Sequence, residues 1–184
     1  MKGATKNYCD LLSQWSKSIN LVQKESLHNV MERHVQDCQQ LCSIINKDEK
    51  IIDVGSGAGL PGVILAINGF HNLTLCEKNI KKATFLRVVK IKLDLNYEIL
   101  NEDVYNFKGR GEHTIISRAF GSVSTLCDLM LKINSQKGVF HKGETYMQEI
   151  KEASKYYYFG YEIIESITNP KGAIIKINNV RRKK

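Results

Sequence analysis

The segment Ile51-Ile52-Asp53-Val54-Gly55-Ser56-Gly57-Ala58-Gly59-Leu60-Pro61-Gly62 decides the fold of this 184-residue chain. An apolar run that ends in an acidic residue, followed by four glycines within eight residues, predicts a buried strand that turns sharply into a helix. Glycines at this junction let the backbone approach a ligand closely and adopt positive φ at little steric cost. Pro61 suits the first turn of the following helix, because its φ is fixed and it has no N–H. The segment therefore predicts a site for a nucleotide-like cofactor.

The composition indicates one globular domain of ordinary size, with 42% hydrophobic and 25% charged residues. No apolar run approaches the ~20 residues that cross a bilayer, and the polar residues 1–6 lack the core of a signal peptide. The five cysteines include no CxxC pair, which predicts free thiols in a reducing compartment. We therefore expect a cytoplasmic protein in which residues 1–184 form a single domain, with residues 1–48 as an N-terminal helical extension packed on it.

The formal net charge of +8 favours a polyanionic partner, although solubility alone is the alternative explanation. Basic clusters raise the affinity for a phosphate backbone without reading its sequence. The basic residues are concentrated in one predicted helix and at the C terminus: Lys78, Lys81, Lys82, Arg87, Lys90 and Lys92, and Arg181-Arg182-Lys183-Lys184.

The hydrophobic pattern changes from helical to alternating strands and helices at Lys50. Residues 5–45 predict two helices with a break at Asn20. Beyond Lys50 we predict strands at 51–54, 73–77, 97–100, 113–117 and 138–141, and helices at 61–68, 80–93, 123–133 and 145–155. Two long strands, 156–168 and 173–178, close the chain. This order predicts an α/β fold with a mainly parallel sheet, one antiparallel edge strand and N-terminal helices.

Ligands of such sheets bind at the carboxyl ends of the strands. We therefore expect one edge of the sheet, called the rim below, to carry the residues that follow the strands: Gly55–Leu60, Glu77, Asp103 and Ser117-Arg118.

No metal site and no nucleophile are expected. His34, Cys38 and Cys42 lie on one face of a predicted helix, but they span two turns and reach too far for one tetrahedral ion. The pair formed by His34 and Cys38 is typical of helix packing rather than of nucleophilic catalysis. The identity of a catalytic residue stays open.

The glycines can be read in two registers. Gly57–Gly62 matches the G-x-G-x-x-G fingerprint of dinucleotide sites, a weak signal when it stands alone. The earlier register, Asp53-x-Gly55-x-Gly57-x-Gly59, fits the strand end better and places the Asp53 carboxylate beside the cofactor. A cofactor without phosphate and with a cationic amino acid end, such as S-adenosylmethionine, favours that arrangement.

Three acidic residues follow three successive predicted strands. Glu77 can accept hydrogen bonds from both ribose hydroxyls of a cofactor, and Asp103 fits near an adenine that Val104 and Tyr105 would flank. Ordinary loop solvation is the alternative for Glu77 and Asp103, and bracing of the loop is the alternative for Asp53. Together the three acids favour S-adenosylmethionine.

The run Asp53–Gly62 resembles the signature of the glucose-inhibited division protein B family, and the resemblance extends over nearly the whole chain. The family implies a Rossmann-like S-adenosylmethionine-dependent methyltransferase fold. It also implies methylation of N7 of one guanine in bacterial small-subunit (16S) ribosomal RNA. The further matching motifs are Asn20-Leu21, Glu32-Arg33-His34 with Asp37, Lys81-Lys82-Ala83-Thr84-Phe85-Leu86-Arg87, Ser117-Arg118-Ala119-Phe120 and Lys142-Gly143.

The resemblance implies cofactor contacts at Gly55, Leu60, Val104, Tyr105 and Arg118, with Glu77 at the ribose. Guanine N7 carries a free lone pair, so no general base is required and positioning can supply ~7–11 kcal/mol of the barrier. We expect Arg118 to position the edge of the cofactor. The alternatives are that Arg118 polarises guanine O6 or forms an ion pair with Asp53 or Glu77.

The expected partner is 16S ribosomal RNA or the small ribosomal subunit, bound by a monomer that uses neither membrane nor metal. The target guanine must be unstacked, which favours an RNA loop. The candidate RNA contacts are Arg33, His34, Lys81, Lys142, Arg181 and Arg182.

Other function classes stay open at this point. One is a methyltransferase that acts on another RNA, a protein or a small molecule, and another is a non-catalytic RNA-binding protein. An NAD-dependent oxidoreductase would need the later glycine register and a catalytic Tyr-x-x-x-Lys or His, and the Tyr97 segment lacks that lysine.

Overall fold

A computed structural model describes residues 2–22, 34–107 and 113–184. Its seven strands are β1 (Ile51–Val54), β2 (Leu73–Cys76), β3 (Glu98–Leu100), β4 (Thr114–Arg118), β5 (Lys137–Lys142), β6 (Tyr157–Glu165) and β7 (Ala173–Arg182). The helices are α1 (Lys2–Ser16), α2 (Gln36–Gln39), α3 (Gly62–Ile67), α4 (Ile80–Lys92), α5 (Val123–Lys132) and α6 (Tyr146–Ala153). Short 3-10 helices span Gln40–Ser43 and Val104–Asn106. None of the helices within these ranges is long and apolar enough to cross a membrane.

The strands form one sheet in the order β3-β2-β1-β4-β5-β7-β6. Strands β1 to β5 are parallel, and β7 runs antiparallel between β5 and β6. The predicted α/β fold is confirmed, but the antiparallel strand lies one position inside the edge of the sheet. The reason is burial: β7 contributes the fully buried Ile174, Ile175 and Ile177, whereas most of β6 is exposed.

The predicted elements agree with the structure most closely around the glycine segment, where β1 has the predicted bounds. Strand β7 continues to Arg182, past its predicted end at Asn178, because Arg181 and Arg182 pair with Tyr158 and Tyr157 of β6. The second predicted helix is described only from residue 34, where it is a short α-helix that tightens into a 3-10 turn at Gln40.

Two apolar clusters cover the two faces of the sheet, because successive residues of a strand point to opposite faces. Ile51 belongs to the first cluster and Ile52 to the second. Helix α1 packs in the first cluster through Tyr8 and Leu12, both fully buried, and the ring of Trp15 lies 5.7 Å from that of Phe85 in α4. The N-terminal helix is therefore part of the core that supports the glycine segment.

The connection from β1 to α3 is held by hydrogen bonds rather than by packing alone. The N–H groups of Gly55 and Ser56 both donate to the carbonyl oxygen of Cys76, at 2.9 and 3.1 Å, which fastens the loop to β2. The N–H of Gly62 donates to Asp53 Oδ2 at 3.0 Å, which fastens α3 to β1. This close approach requires glycine, because a Cβ at position 62 would lie 2.7 Å from that carboxylate oxygen.

Gly62→Ala should lower the free energy of unfolding by about 1–3 kcal/mol, because the added methyl group overpacks the contact with Asp53 and Leu75. Chemical denaturation measures the change. Gly143→Ala is the matched control, since a Cβ at that glycine would meet nothing within 4 Å. Equal losses in the two variants would contradict the proposed close contact at Gly62.

Candidate functional site

The carboxyl ends of β1 to β4 meet at one edge of the sheet, and the predicted residues follow them there. Gly55 comes directly after β1, Glu77 directly after β2, and Arg118 ends β4. Asp103 lies in the loop that leaves β3. Parallel strands bring these groups to the same rim, as the sequence predicts.

Glu77 connects the glycine loop with the next strand and helix. Its carboxylate accepts the N–H of Gly57 at 2.9 Å through Oε2 and the N–H of Asn79 at 2.7 Å through Oε1. The backbone carbonyl of Glu77 accepts a hydrogen bond from the Asn101 side chain at 2.8 Å, which adds the end of β3. Each carboxylate oxygen has further lone-pair capacity, so the pair of hydroxyls expected from a ribose is chemically compatible with this group.

The backbone N–H groups of the glycine loop are largely committed within the protein. Besides Gly55, Gly57 and Gly62, the N–H of Gly59 donates to Ser56 O at 2.6 Å, and Pro61 has none. A pyrophosphate needs such donors at the start of a helix. Here it would instead meet the Glu77 carboxylate, which accepts the N–H groups of Gly57 and Asn79. The loop therefore fits a cofactor without phosphate better than a dinucleotide.

Asp53 lies beneath the loop and is fully buried. Burial raises the pKa of its carboxyl to about 7, and the hydrogen bond from Gly62 opposes that shift only in part. Its Oδ1 atom has no hydrogen-bond partner among the described residues. The carboxylate thus braces the loop, the alternative that the sequence left open. Its ionised form places negative charge under the loop, which suits a cationic ligand above it.

The residues expected at an adenine follow β3 in a compact turn. Asp103 accepts the N–H of Tyr105 at 3.1 Å and lies 3.6 Å from the ammonium of Lys78. Val104 is buried, whereas Tyr105 is 39% exposed. The structure therefore presents Asp103 and Tyr105 to solvent and places Val104 behind them. Leu60 is also buried, in the cluster beneath the loop, and supports it from below.

Arg118 is paired with a residue that the sequence did not propose as its partner. Its Nε lies 3.7 Å from Asp37 Oδ2, and its Nη1 donates to Cys38 Sγ at 4.0 Å. Asp37 also accepts the Ser166 hydroxyl at 2.8 Å, and its backbone carbonyl accepts the Nε2–H of His141 at 3.0 Å. Two residues of α2, Asp37 and Cys38, therefore hold Arg118 at the end of β4. No local pattern could have indicated Asp37, because its partners come from distant strands.

Cys38 beside this pair is a protonated thiol. Burial raises its pKa to about 12, although Arg118 opposes the shift. Burial likewise lowers the pKa of His141, while Asp37 opposes that shift. The Cys38 thiol is therefore a poor nucleophile at neutral pH.

Among the predicted RNA contacts, Lys81 has a suitable position. It is exposed in the first turn of α4, next to Glu77 at the rim. The ring nitrogens of His34 are buried. Lys142 has a side chain only 9% exposed, which bonds Glu149 at 2.6 Å and the carbonyl of Gly121 at 2.7 Å. The charge of Lys142 is therefore engaged by Glu149 in the structure, which argues against its predicted role as an RNA contact. Arg33 lies outside the described residues.

Arg181 and Arg182 lie at the wrong end of the sheet for contact near the rim. Strand β7 is antiparallel to β5, with Asn178 opposite Lys137 at the start of β5, so the residues that follow extend away from Gly55. Arg182 also forms an ion pair with Asp128 at 2.6 Å. Strand direction, which cannot be read from the basic run itself, thus places these two predicted RNA contacts away from the rim.

Comparison with known proteins assigns nearly the whole chain to one protein family. The family model described as rRNA small subunit methyltransferase G matches residues 1–177. A ribosomal RNA small subunit methyltransferase G of Rickettsia rickettsii (strain Sheila Smith) is 36% identical over 175 residues, which cover 94% of this chain and 91% of the relative. The protein of the same name from Rickettsia africae (strain ESF-5) is 35% identical, with coverage of 94% and 90%.

Solved structures share the fold at low sequence identity. The magnesium protoporphyrin IX methyltransferase of Synechocystis PCC 6803 with bound SAM superposes with a TM-score of 0.65 at 9% identity, covering 94% of this chain and 97% of that one. The 16S rRNA methylase RmtB has a TM-score of 0.57 at 15% identity, with coverage of 97% and 75%. These similarities support the architecture of the sheet.

The buried Asp53 predicts a pH-dependent component of stability. Its pKa is raised from 3.8 to about 7 by folding, so the native state binds the proton more tightly between these values. The free energy of unfolding that Asp53 contributes should therefore fall by roughly 2–4 kcal/mol as the pH rises from about 4 to about 7, and then level off. Urea titrations of the wild type and Asp53→Asn at several pH values measure this component as their difference. A difference that does not change with pH would contradict the assignment.

Proposed function

Because this chain belongs to the rRNA small subunit methyltransferase G family, we propose that it methylates N7 of one guanine in bacterial small-subunit (16S) ribosomal RNA. The enzyme is an S-adenosylmethionine-dependent methyltransferase of 16S ribosomal RNA, and the atom and base are our more specific proposal. The family match over residues 1–177 carries the conclusion. The Glu77 carboxylate, which accepts the N–H of Gly57 in the glycine loop, supports our placement of the cofactor at the rim.

Several groups at the rim fit S-adenosylmethionine, which supplies an electrophilic methyl group on a sulfonium when it is bound. In our proposal Glu77 accepts the ribose hydroxyls, while Asp103 and Tyr105 lie at the adenine. Arg118, held by Asp37, positions the opposite edge of the cofactor. Asp53 acts through the loop that it braces and through its negative charge. The backbone of the loop at Gly55, Gly57 and Gly59 and the apolar side chains of Leu60 and Val104 complete the proposed site.

Attack by guanine N7 requires the base to be positioned correctly and requires no proton transfer. The N7 lone pair is free in neutral guanine, so the protein has only to hold it in line with the methyl group. The buried, protonated thiol of Cys38 is consistent with a site that makes no covalent intermediate through that residue. We therefore propose no general base and assign Arg118 a positioning role.

The proposed RNA surface near the rim consists of Lys78, Lys81 and Lys82, at the start of α4. Lys78 and Lys81 are exposed, and the Asn79 side chain caps the helix there by accepting the N–H groups of Lys81 and Lys82. Cations in this position can contact phosphates on either side of a nucleotide presented to Glu77 and Gly55.

We also propose that residues 1–184 form a single domain that acts as a cytoplasmic monomer without metal. The N-terminal extension belongs to this domain, because it helps to hold the glycine loop in place. In favour of this, the Tyr8 hydroxyl in α1 donates to the carbonyl of Ala58 in the glycine loop at 2.8 Å.

Labelled methyl transfer tests the function. Tritiated S-adenosylmethionine is incubated with the protein and with intact small subunits, their naked RNA or bulk protein, and the labelled nucleotide is then identified by nuclease digestion and chromatography. We expect label on guanine N7 at one position of the RNA. Label only in protein would contradict RNA methylation, and label on another atom would contradict the N7 assignment.

Lys81→Glu should weaken RNA binding by roughly 3–30-fold at low salt and reduce the salt dependence of binding by about one unit, because one phosphate contact is lost. S-adenosylmethionine affinity should stay unchanged. The substitution places an acid at a helix N-terminus, which does not oppose folding. Lys92→Glu is the matched control, since Lys92 is also exposed but ends the same helix. Calorimetry with RNA and with cofactor measures both affinities, and equal losses of both would count against a separate RNA surface.

A further inference from the structure

The turn after β4 has an unusual backbone. Four non-glycine residues in the described part of the chain have positive φ, and three of them are Asp94, Asn134 and Asn179. Asp and Asn tolerate this conformation because their short polar side chains bond locally. Ala119, with φ of 62°, has no such compensation. Strain of this kind persists where the surrounding structure enforces it, and it is concentrated at functional sites.

The effect of this turn is to place the ring of Phe120 against the glycine loop. A Cβ at Gly55 would lie 2.7 Å from Phe120 Cδ2, so the ring packs directly on the glycine. Phe120 is only half-buried, and the residues on both sides of it, Ala119 and Gly121, are exposed. The ring therefore packs on the core with one part and faces the open rim with another.

An ion pair between Lys142 and Glu149 fixes the shape of the turn. The ammonium of Lys142 donates to the carbonyl of Gly121 at 2.7 Å and bonds Glu149 Oε2 at 2.6 Å. The same Glu149 oxygen accepts the N–H of Val123 at 3.0 Å, at the start of α5. The Lys142 side chain is only 9% exposed, and withdrawing an ammonium group from water is costly even when it is paired. That this ammonium holds an exposed turn indicates that the course of the backbone there matters.

We propose that Phe120 is the aromatic surface on which the target guanine stacks, and that Lys142 is a positioning residue that holds its turn. The inference rests on the proposed function and names the side chain that receives the base. Unstacked bases in RNA recognition are held on aromatic rings, because every base offers a π-face. Phe120 is next to Gly55, where the cofactor is proposed to lie. By contrast, the exposed Tyr156 and Tyr158 lie near Arg181 and Arg182, at the far end of the sheet.

Substitutions that separate aromatic stacking from apolar packing test the assignment. Phe120→Leu keeps an apolar side chain but removes the ring, and it should lower kcat/KM for RNA by about 5–150-fold, the usual effect of losing one stacked base. Phe120→Tyr should retain most of the activity. Both variants should bind S-adenosylmethionine within about threefold of wild type. Phe159→Leu is the control, a half-buried phenylalanine of the same apolar cluster on the edge strand β6.

A fluorescence measurement adds a readout that does not depend on turnover. The chain contains one tryptophan, Trp15, packed against Phe85, so Phe120→Trp introduces a second reporter at the rim. Small-subunit RNA, added in the presence of S-adenosylhomocysteine, should quench the variant more strongly than the wild type. Adding Lys142→Met to the Phe120→Trp variant should reduce that quenching without changing cofactor affinity. Unchanged quenching would overturn the role of Lys142.

The outcomes distinguish the stacking role from its alternatives. Equal activity of Phe120→Leu and wild type, or equal losses in the Leu and Tyr variants, would overturn stacking. Loss of cofactor affinity in proportion to activity would assign Phe120 to the cofactor site and also overturn it. If the wild type labels no RNA, the proposed function itself fails. The quenching experiment then decides alone whether Phe120 contacts bound RNA.

Discussion

The carboxylate of Glu77, which accepts the N–H groups of Gly57 and Asn79, is the contact on which the arrangement of the rim depends. It joins the loop after β1 to the end of β2 and to the start of α4. Asp53 does the same for the other half of the loop by accepting the N–H of Gly62. Because two carboxyl groups already use these donors, the strand–glycine–helix unit suits a cofactor without phosphate, although its sequence also matches a dinucleotide fingerprint.

Ion pairs at the rim attach distant parts of the chain to this centre. Arg118 of β4 pairs with Asp37 from the N-terminal segment, and Lys142 of β5 pairs with Glu149 of α6. Such pairs contribute little net stability, since desolvation offsets most of the attraction. Their main effect is to orient side chains, because each pair fixes a guanidinium or ammonium group relative to the strand ends. The rim is therefore shaped by groups whose main effect is geometric, which suits a reaction that depends on positioning.

The sequence predicted the parts of this site that depend on local chemistry. Glycine spacing and an apolar run define the loop after β1, and an acid at a strand end identifies Glu77. The partner of Arg118 could not be predicted, because Asp37 reaches it only through the packing of the N-terminal segment over the sheet. Lys142 appeared to be a free cation for the same reason. The position of Arg182 depends on the direction of β7. That direction could not be predicted, because it depends on which of the two closing strands buries its isoleucines.

The distribution of charge bears on how RNA is recognised. Arg182 is engaged with Asp128 and lies over the ring of Tyr157, and Lys183 lies over Tyr158, so the basic C terminus stabilises the closing strands. The net charge of +8 therefore overstates the surface available to a phosphate backbone at the rim. What the described rim offers is the short basic start of α4, next to a cofactor loop and an aromatic ring. Phosphate contacts at these lysines would carry no sequence information, so in our proposal one nucleotide is selected by the shape of the RNA and by how easily a single base leaves its stack.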